Sequence, residues 1–329
     1  MKTYSRRDVL KLGLASAPAV GLLAAAPGLR AADGAAPALK AAVKPNSKVN
    51  GVHLGLNVPY SFRNNAMSGD DILAGCVQLG VSGVELRSQP VEVAMGLPRE
   101  LMPAGRGRAA QNDASGLSAE QRAAEMNRWR LNAPLDLARA FRRKYEEAGV
   151  LIEILKFDGI YALPDDVIDY CFELARAVGA RAISCEMSVK DAQRLGQFAD
   201  RHRLPVGYHN HASLKNADWE TAFGQAKFNG ANVDIGHYIA GNDTSVTDFL
   251  KKYADRVTHV HIKDRRRNEG PNMPFGEGDT PIAEVLRLIR DHRWQIQATI
   301  EYEYPLPPGS TVMAELARTL QFCRDALSS

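Results

Sequence analysis

Cysteine is scarce and scattered: Cys76, Cys171, Cys185 and Cys323 are the only four in 329 residues, with no C-x-x-C spacing. A chain of this length with so few is not a disulfide scaffold, and the four read as small buried hydrophobes. An excess of charge of one sign is missing as well. Lys and Arg total 41 against 38 Asp and Glu, a net charge of +3, so nothing electrostatic points to nucleic acid. No G-x-G-x-x-G follows the first strand candidate, where a dinucleotide site needs one. Beyond residue 32 no apolar run reaches the ~18 residues of a membrane-spanning helix.

The front of the chain reads as an export signal. A charged start, with Ser5-Arg6-Arg7-Asp8 and Lys11, precedes an Ala/Gly-rich apolar stretch from Leu12 to Leu29 and the small residues Ala31 and Ala32. The adjacent Arg6-Arg7 pair marks the twin-arginine route, with cleavage after Ala31 or Ala32. Pro18, Pro27 and the many alanines argue against a membrane anchor. The expectation is a signal peptide over 1–32, an Ala/Pro/Lys-rich linker over 33–48 and a periplasmic or secreted protein with no membrane attachment once the signal is gone.

From Gly51 onward, short apolar, β-branched runs alternate with helical stretches. The strand candidates are Val52 to Asn57, Gly83 to Arg87, Leu151 to Phe157, Arg181 to Glu186, Pro205 to His211, Asn232 to Ile235, Thr258 to Lys263 and Gln297 to Glu303. Between them, Ser68 with Asp71 forms a capping box, Pro164 opens a helix that Gly179 closes, Thr280-Pro281 starts another, and Ser310 starts the last. Eight strands alternating with helices over ~280 residues fit an α/β (β/α)8 TIM barrel, a single domain over 49–329. One connection is too long. Between Arg87 and Leu151 the segment from Asn132 or Pro134 to Ala148 supplies the barrel helix, leaving an insertion at about 88–131 with a helix over Ser118 to Arg130 and a loop that could cover an active site or serve no purpose.

Reactive side chains of such a barrel come from the carboxyl ends of its strands. Those ends carry Asn57, Glu85, Arg87, Lys156, Asp158, Glu186, His209, His211, Asp234, His237, His259, His261, Lys263, Glu301 and Glu303. Period-2 alternation places His209 with His211, His259 with His261 and Lys263, and Glu301 with Glu303 on shared inward faces. Inward charges need a cation or a network, and a divalent metal is the simplest. Imidazole mixed with carboxylate suits Mn, Co, Fe, Ni or Zn more than Ca or Mg; the sequence does not choose, and Mg stays a candidate. Blander readings stand beside these: His53, His202 and His292 are surface or core residues, Arg265-Arg266-Arg267 is a solvated loop although directly after strand seven it could reach an anionic or hydroxylated substrate, and Glu85 pairs only with Lys156.

The motifs Gly83-Val-Glu-Leu-Arg87, Tyr208-His-Asn-His211, Val233-Asp-Ile-Gly-His237, His259-Val-His-Ile-Lys-Asp264, Gly276-Glu-Gly278 and Ile300-Glu-Tyr-Glu303 occur in that order. In this the chain resembles the xylose-isomerase-like TIM barrels, the sugar phosphate isomerase/epimerase superfamily. The resemblance to the family's ketose 3-epimerases implies one divalent metal held by Asp234, His261 and Glu301, with His237 on the substrate. At the strand-five position those epimerases have a glutamate that also exchanges the proton, and this chain has His209. Glu186 could replace that carboxylate as ligand or as base. The pattern in exported members is similar to metal-dependent lyases and hydratases of 3-keto-glycosides.

The expected ligands are therefore His209 or His211, Asp234, His261 and Glu301, with Glu186 as a further one. Glu303 or Glu186 is the base, the resemblance adds Glu301 as a proton-exchanging group, and Lys156, His237, His259 and Lys263 bind substrate oxygens. The expected activity is proton abstraction next to the carbonyl of a keto-sugar or 3-keto-glycoside. Isomerisation or epimerisation of a free or phosphorylated ketose is the nearest alternative, and a non-catalytic periplasmic sugar-binding protein is an alternative of another class. The expected partner is a small carbohydrate, not nucleic acid, with a homo-oligomer left open.

Overall fold

A computed structural model describes residues 44–102 and 116–329. The expected signal peptide, most of the expected linker and residues 103–115 of the insertion lie outside the described residues.

Eight parallel strands close into a barrel: β1 Val52–Val58, β2 Gly83–Arg87, β3 Leu151–Lys156, β4 Ala182–Glu186, β5 Val206–His209, β6 Asn229–Asp234, β7 Val257–Ile262 and β8 Gln297–Ile300. Each pairs with its sequence neighbour, and β8 returns to β1 through Leu54↔Ala298 and Leu56↔Ile300. Strands wrapped by helices are buried on both faces, which is why these segments read as near-continuous apolar runs. Val84, Leu86, Ile183, Val206, Val233, Val260 and Ala298 are fully buried.

The expected strands all form, with ends that move by a few residues. The sixth begins earlier, at Asn229, and stops at Asp234 because the Asp234 carboxylate accepts from His237 N and caps the helix Ile235–Gly241. The third, fifth and eighth stop before Phe157, His211 and Glu303, so several reactive side chains sit on the loops just above the barrel.

Local chemistry accounts for the helices. Ser68 Oγ accepts from Asp71 N and starts Gly69–Leu79; Pro164 precedes Asp165–Ala177; Pro281 precedes Ile282–Asp291. Gly149 and Gly179, at φ +87° and +81°, turn the chain after their helices in a conformation that side chains rarely adopt. The last helix, Val312–Ser328, is capped by Thr311 rather than Ser310.

Two differences from expectation concern the flanks. Residues 44–48 are not all linker: Ser47 is buried, its hydroxyl donates to Leu54 O, and Lys48–Val49 pairs antiparallel with Val52 and His53 across an Asn50-Gly51 turn. Asn-Gly supplies the two positive φ values such a turn requires. The insertion begins with an unforeseen helix, Ser88–Ala94, before the expected one, which runs Ala119–Arg130 behind Ser118 and Gln121 in a capping box. A buried ion pair, Arg130 Nε to Glu92 Oε1 at 2.7 Å, ties the two together.

Candidate active site

Strand register sets the site. His209 lies beside Glu186 on one side and Asn232 on the other, and Asp234 lies beside His261. Glu301 follows β8 directly, its amide donating to Ile262 O. These side chains therefore converge at the carboxyl-terminal mouth, where the fold places chemistry.

His209, Asp234, His261 and Glu301 are all buried, and one ligand atom from each lies within 4.8 Å of the others. Three of the atoms facing this point, Asp234 Oδ2, His261 Nδ1 and Glu301 Oε2, have no hydrogen-bond partner. Lys263 Nζ stands 2.9 Å from Asp234 Oδ2, and 2.7 Å from both Glu301 Oε2 and Glu303 Oε2. It meets the first two as an ion pair, holding their charge where a divalent ion would. Buried polar atoms left unpaired are costly, and two imidazoles with two carboxylates form a donor set that suits a divalent transition ion. The residues present fit a metal.

Two other groups have ligand spacing. His209, His211 and His237 cluster at the rim, and Glu85, His259 and His261 deeper inside. The rim group is more fully engaged, whereas the deeper one also leaves Glu85 Oε1 and His259 Nε2 without a hydrogen-bond partner. Arg265 Nη1 donates to His237 Nδ1 at 2.6 Å, Lys263 Nζ stands 2.9 Å from its Nε2, and His211 Nε2 donates to Glu186 Oε2 at 3.0 Å. In the deeper group, Glu85 Oε2 accepts from His261 Nε2.

Charge follows these contacts. Burial disfavours a charged His261, but Glu85 and Glu301 outweigh it and raise its pKa to about 10. Burial also holds His209 and His237 neutral. The Glu186 carboxylate is partly buried, yet the hydrogen bond from His211 and the charge of Lys156, at 2.9 Å, hold it well below the carboxylate range. The same bond raises His211.

The structure thus brings His209, Asp234, His261 and Glu301 into one set. His211 and Glu186 form a pair at the rim beside it, and Glu186 is not part of the four-residue set. Lys156 pairs with Glu186, not with Glu85 as one reading had it. His259 is not at the mouth: it is 0% exposed, its Nδ1 bonds Thr258 Oγ1, and its Nε2 stands 3.5 Å from Glu85. A residue two positions before His261 on the same face lies one layer lower in the barrel, so the expected substrate contact does not form. Arg265, in the run read either as a solvated loop or as a reach toward substrate, turns to His237 and Gly270 O. His53 and His202 pair with Glu153 and Asp169, away from the site.

Sequence reasoning passed over several contributors. Tyr60 Oη donates to Glu303 Oε1, and Asn272 Nδ2 donates to Glu303 Oε2 at 3.2 Å. Asn57, by contrast, stands among the strand-end residues named from the sequence, and its Nδ2 donates to Glu301 Oε1 at 2.8 Å. Asn232 needed only the alternation used for the other strands, applied two residues back from Asp234; Asn272 lies on a long loop and left no signal. That loop is pinned by Asp264, whose buried carboxylate accepts from Gly276 N, Gly278 N and Thr280 N at 2.8, 3.0 and 3.2 Å.

Comparison with known proteins identifies the family. The profile of the xylose isomerase-like TIM barrels matches residues 76–324. The chain belongs to that family. An inosose dehydratase of Lactiplantibacillus plantarum is 34% identical over 85 residues, a stretch spanning 24% of this chain and 28% of that protein. Among solved structures, the IolI protein with a bound zinc atom aligns with a TM-score of 0.56 at 13% identity, over 84% of this chain and 98% of its own. The 3-keto-D-glucoside 4-epimerase of E. coli aligns at 0.51 and 14% identity, over 83% and 100%. At such identities the structural likeness speaks to the barrel alone.

Proposed function

We propose that the protein is a divalent-metal-dependent enzyme that removes a proton next to the carbonyl of a keto-sugar or 3-keto-glycoside, in the manner of a lyase or hydratase. The observation that carries this reading is the convergence of unpartnered Asp234 Oδ2, His261 Nδ1 and Glu301 Oε2 beside His209, under a mouth of paired acids and bases. A divalent ion held by these four residues supplies positive charge where a carbonyl oxygen gains negative charge as the neighbouring proton leaves.

The remaining work falls to side chains. β4 and β8 stand opposite one another in the ring of eight, so Glu186 with His211 and Glu303 with Tyr60 face a ligand from two sides. Glu303 is the base, one oxygen held by Tyr60 and the other by Asn272 and Lys263. Glu186 is held too far down to be an efficient base; it keeps His211 charged, and His211 passes a proton to the leaving oxygen. His237, Lys263 and Lys156 hold carbonyl and hydroxyl oxygens. The likeness to an inosose dehydratase supports a small carbohydrate-like substrate.

Metal analysis of the purified protein, followed by incubation with a 3-keto-glycoside and its parent ketose in deuterated water, tests the reading. Release of aglycone supports elimination, and deuterium in recovered or epimerised sugar supports epimerisation. No change in either substrate with metal bound refutes the reaction class, and Glu301→Gln with undiminished metal content refutes the ligand set. The Arg6-Arg7 pair further supports export by the twin-arginine route. Arg6→Lys with Arg7→Lys should keep the protein in the cytoplasm, and undisturbed export would refute that route.

A further inference from the structure

Asn232 lies on β6, fully buried beneath the two histidines of the four-residue set. Its Nδ2 is 3.1 Å from His261 Nε2, 3.4 Å from His209 Nδ1 and 3.3 Å from Ser184 Oγ, while its Oδ1 has no hydrogen-bond partner. A carboxamide keeps its shape when turned about its last bond, so the groups that face it decide which end is oxygen. With nitrogen toward the rings, His209 Nδ1 and His261 Nε2 would both have to be bare. His261 Nε2 cannot be, because it also faces Glu85 Oε2, and a carboxylate only accepts. One N–H would then point at another, with the amide oxygen stranded in the barrel.

We infer that Asn232 turns its oxygen to the rings, accepts from both His209 Nδ1 and His261 Nε2, and so fixes which nitrogen of each histidine is bare. The His261 Nε2 proton is shared between Asn232 and Glu85, and Ser184 Oγ is placed to donate to the same oxygen. Once a divalent ion takes the place of the second ring proton of His261, the bare nitrogens are His209 Nε2 and His261 Nδ1. The second is the atom that stands unpartnered 3.4 Å from Glu301 Oε2 and 4.0 Å from Asp234 Oδ2. One buried amide thereby aims both lone pairs at one point, as groups that orient metal-bound histidines do. The backbone is shaped for this. Strand register shifts between Ala231 and Asn232, and again between Val84 and Glu85, and such irregularities re-aim side chains. Asn232 is a positioning residue: it touches neither substrate nor ion. This inference rests on the metal reading above.

The test uses the full-length protein labelled with nitrogen-15 at histidine and loaded with zinc, whose long-range proton–nitrogen correlations report each tautomer. His209 should carry its proton on Nδ1 and His261 on Nε2. Zinc affinity is then measured by competition with a chelator. Asn232→Asp still accepts from both rings and should bind zinc no more than about threefold more weakly than the natural protein, whereas Asn232→Leu should bind ~10–100-fold more weakly and show mixed tautomers. Equal affinity in Asn232→Leu, or a proton on His209 Nε2 in the zinc-loaded protein, overturns the inference. If Asn232→Leu does not fold, the natural protein's tautomers and the Asn232→Asp affinity decide. If the natural protein binds no zinc, manganese or cobalt, the metal reading falls instead, and the His209 tautomer in the metal-free protein still decides the role of Asn232.

Discussion

Replacing Arg130 by alanine should lower the melting temperature by several degrees while leaving the barrel mouth untouched. Arg130 ends the helix Ala119–Arg130 and reaches the Glu92 carboxylate through Nε at 2.7 Å and Nη2 at 3.2 Å. Glu92 is 0% exposed and Arg130 8%. Tyr170 Oη at 3.4 Å and Ser88 Oγ at 3.5 Å are the other donors near that carboxylate, both at the limit of a hydrogen bond. Removing the guanidinium leaves a buried charge with two weak partners, which costs ~3–5 kcal/mol. With an unfolding entropy of ~2.1 cal/mol/K per residue over roughly 290 folded residues, the melting temperature falls by ~5–8 °C. Calorimetry measures this directly, and a second variant isolates the cause. Glu92→Leu with Arg130→Met replaces both charges by apolar groups and should recover most of the loss. If Arg130→Ala melts within ~1 °C of the natural protein, or the double variant melts as low as the single, the pair does not anchor the insertion.

At the opposite end of the barrel, burial works against Glu153, but hydrogen bonds from His53 and Arg181 outweigh it and lower its pKa from 4.5 to about 2. A depressed carboxylate contributes stability that is present above pH 4.5 and is lost as pH falls toward 2, here ~3 kcal/mol at most. Denaturation at pH 7 and pH 3 should show that part of the loss disappear in Glu153→Gln; an unchanged loss counts against it. Asp264→Ala should free the loop that carries Arg265 and Asn272, lowering kcat/KM at least ~10-fold through misplacement with metal content intact. Retained kcat/KM would mean the loop does not position those groups. Lys263→Met removes the ammonium that neutralises Asp234, Glu301 and Glu303, so chelator competition should find divalent metal bound more tightly while turnover falls; weaker binding would refute the competition.

The barrel was legible because its signals are local. Eight apolar, β-branched runs and the caps Ser68, Ser118, Pro164 and Gly179 lie where the structure uses them, and alternation put His209, His261, Glu301 and Glu303 inward, though it put His211 there too and that side chain is exposed at the rim. What escaped depends on distance across the barrel. Glu85 and His261 are 176 residues apart in sequence, and no periodicity says that the carboxylate of β2 meets the imidazole of β7 and leaves Lys156 to Glu186. Alternation names a face but not a depth, so His259 was assigned to the mouth along with His261. Residues on loops, such as Asn272, have no period at all.

The histidine at the fifth strand acquires a physical reading from these contacts. Where the resembling epimerases have a glutamate that is both ligand and base, the two tasks are separated here. His209 is buried and neutral within the four-residue set, and the nearest carboxylate by register, Glu186, is turned away to Lys156 and His211. Moving a proton on and off either face of one carbon needs two carboxylates of similar basicity. Here Glu186, held far below its usual range, pairs with a histidine raised above its own, facing Glu303 across the mouth. The proposed base, Glu303, on one side and the proposed acid, His211, on the other suit loss of a proton and departure of an oxygen from neighbouring carbons. That asymmetry favours elimination over epimerisation, and it makes His211→Asn the informative variant. It should slow breakdown of a 3-keto-glycoside with a poor leaving group far more than one with a good leaving group, because only the former needs the proton. Equal slowing of both would remove His211 from the chemistry.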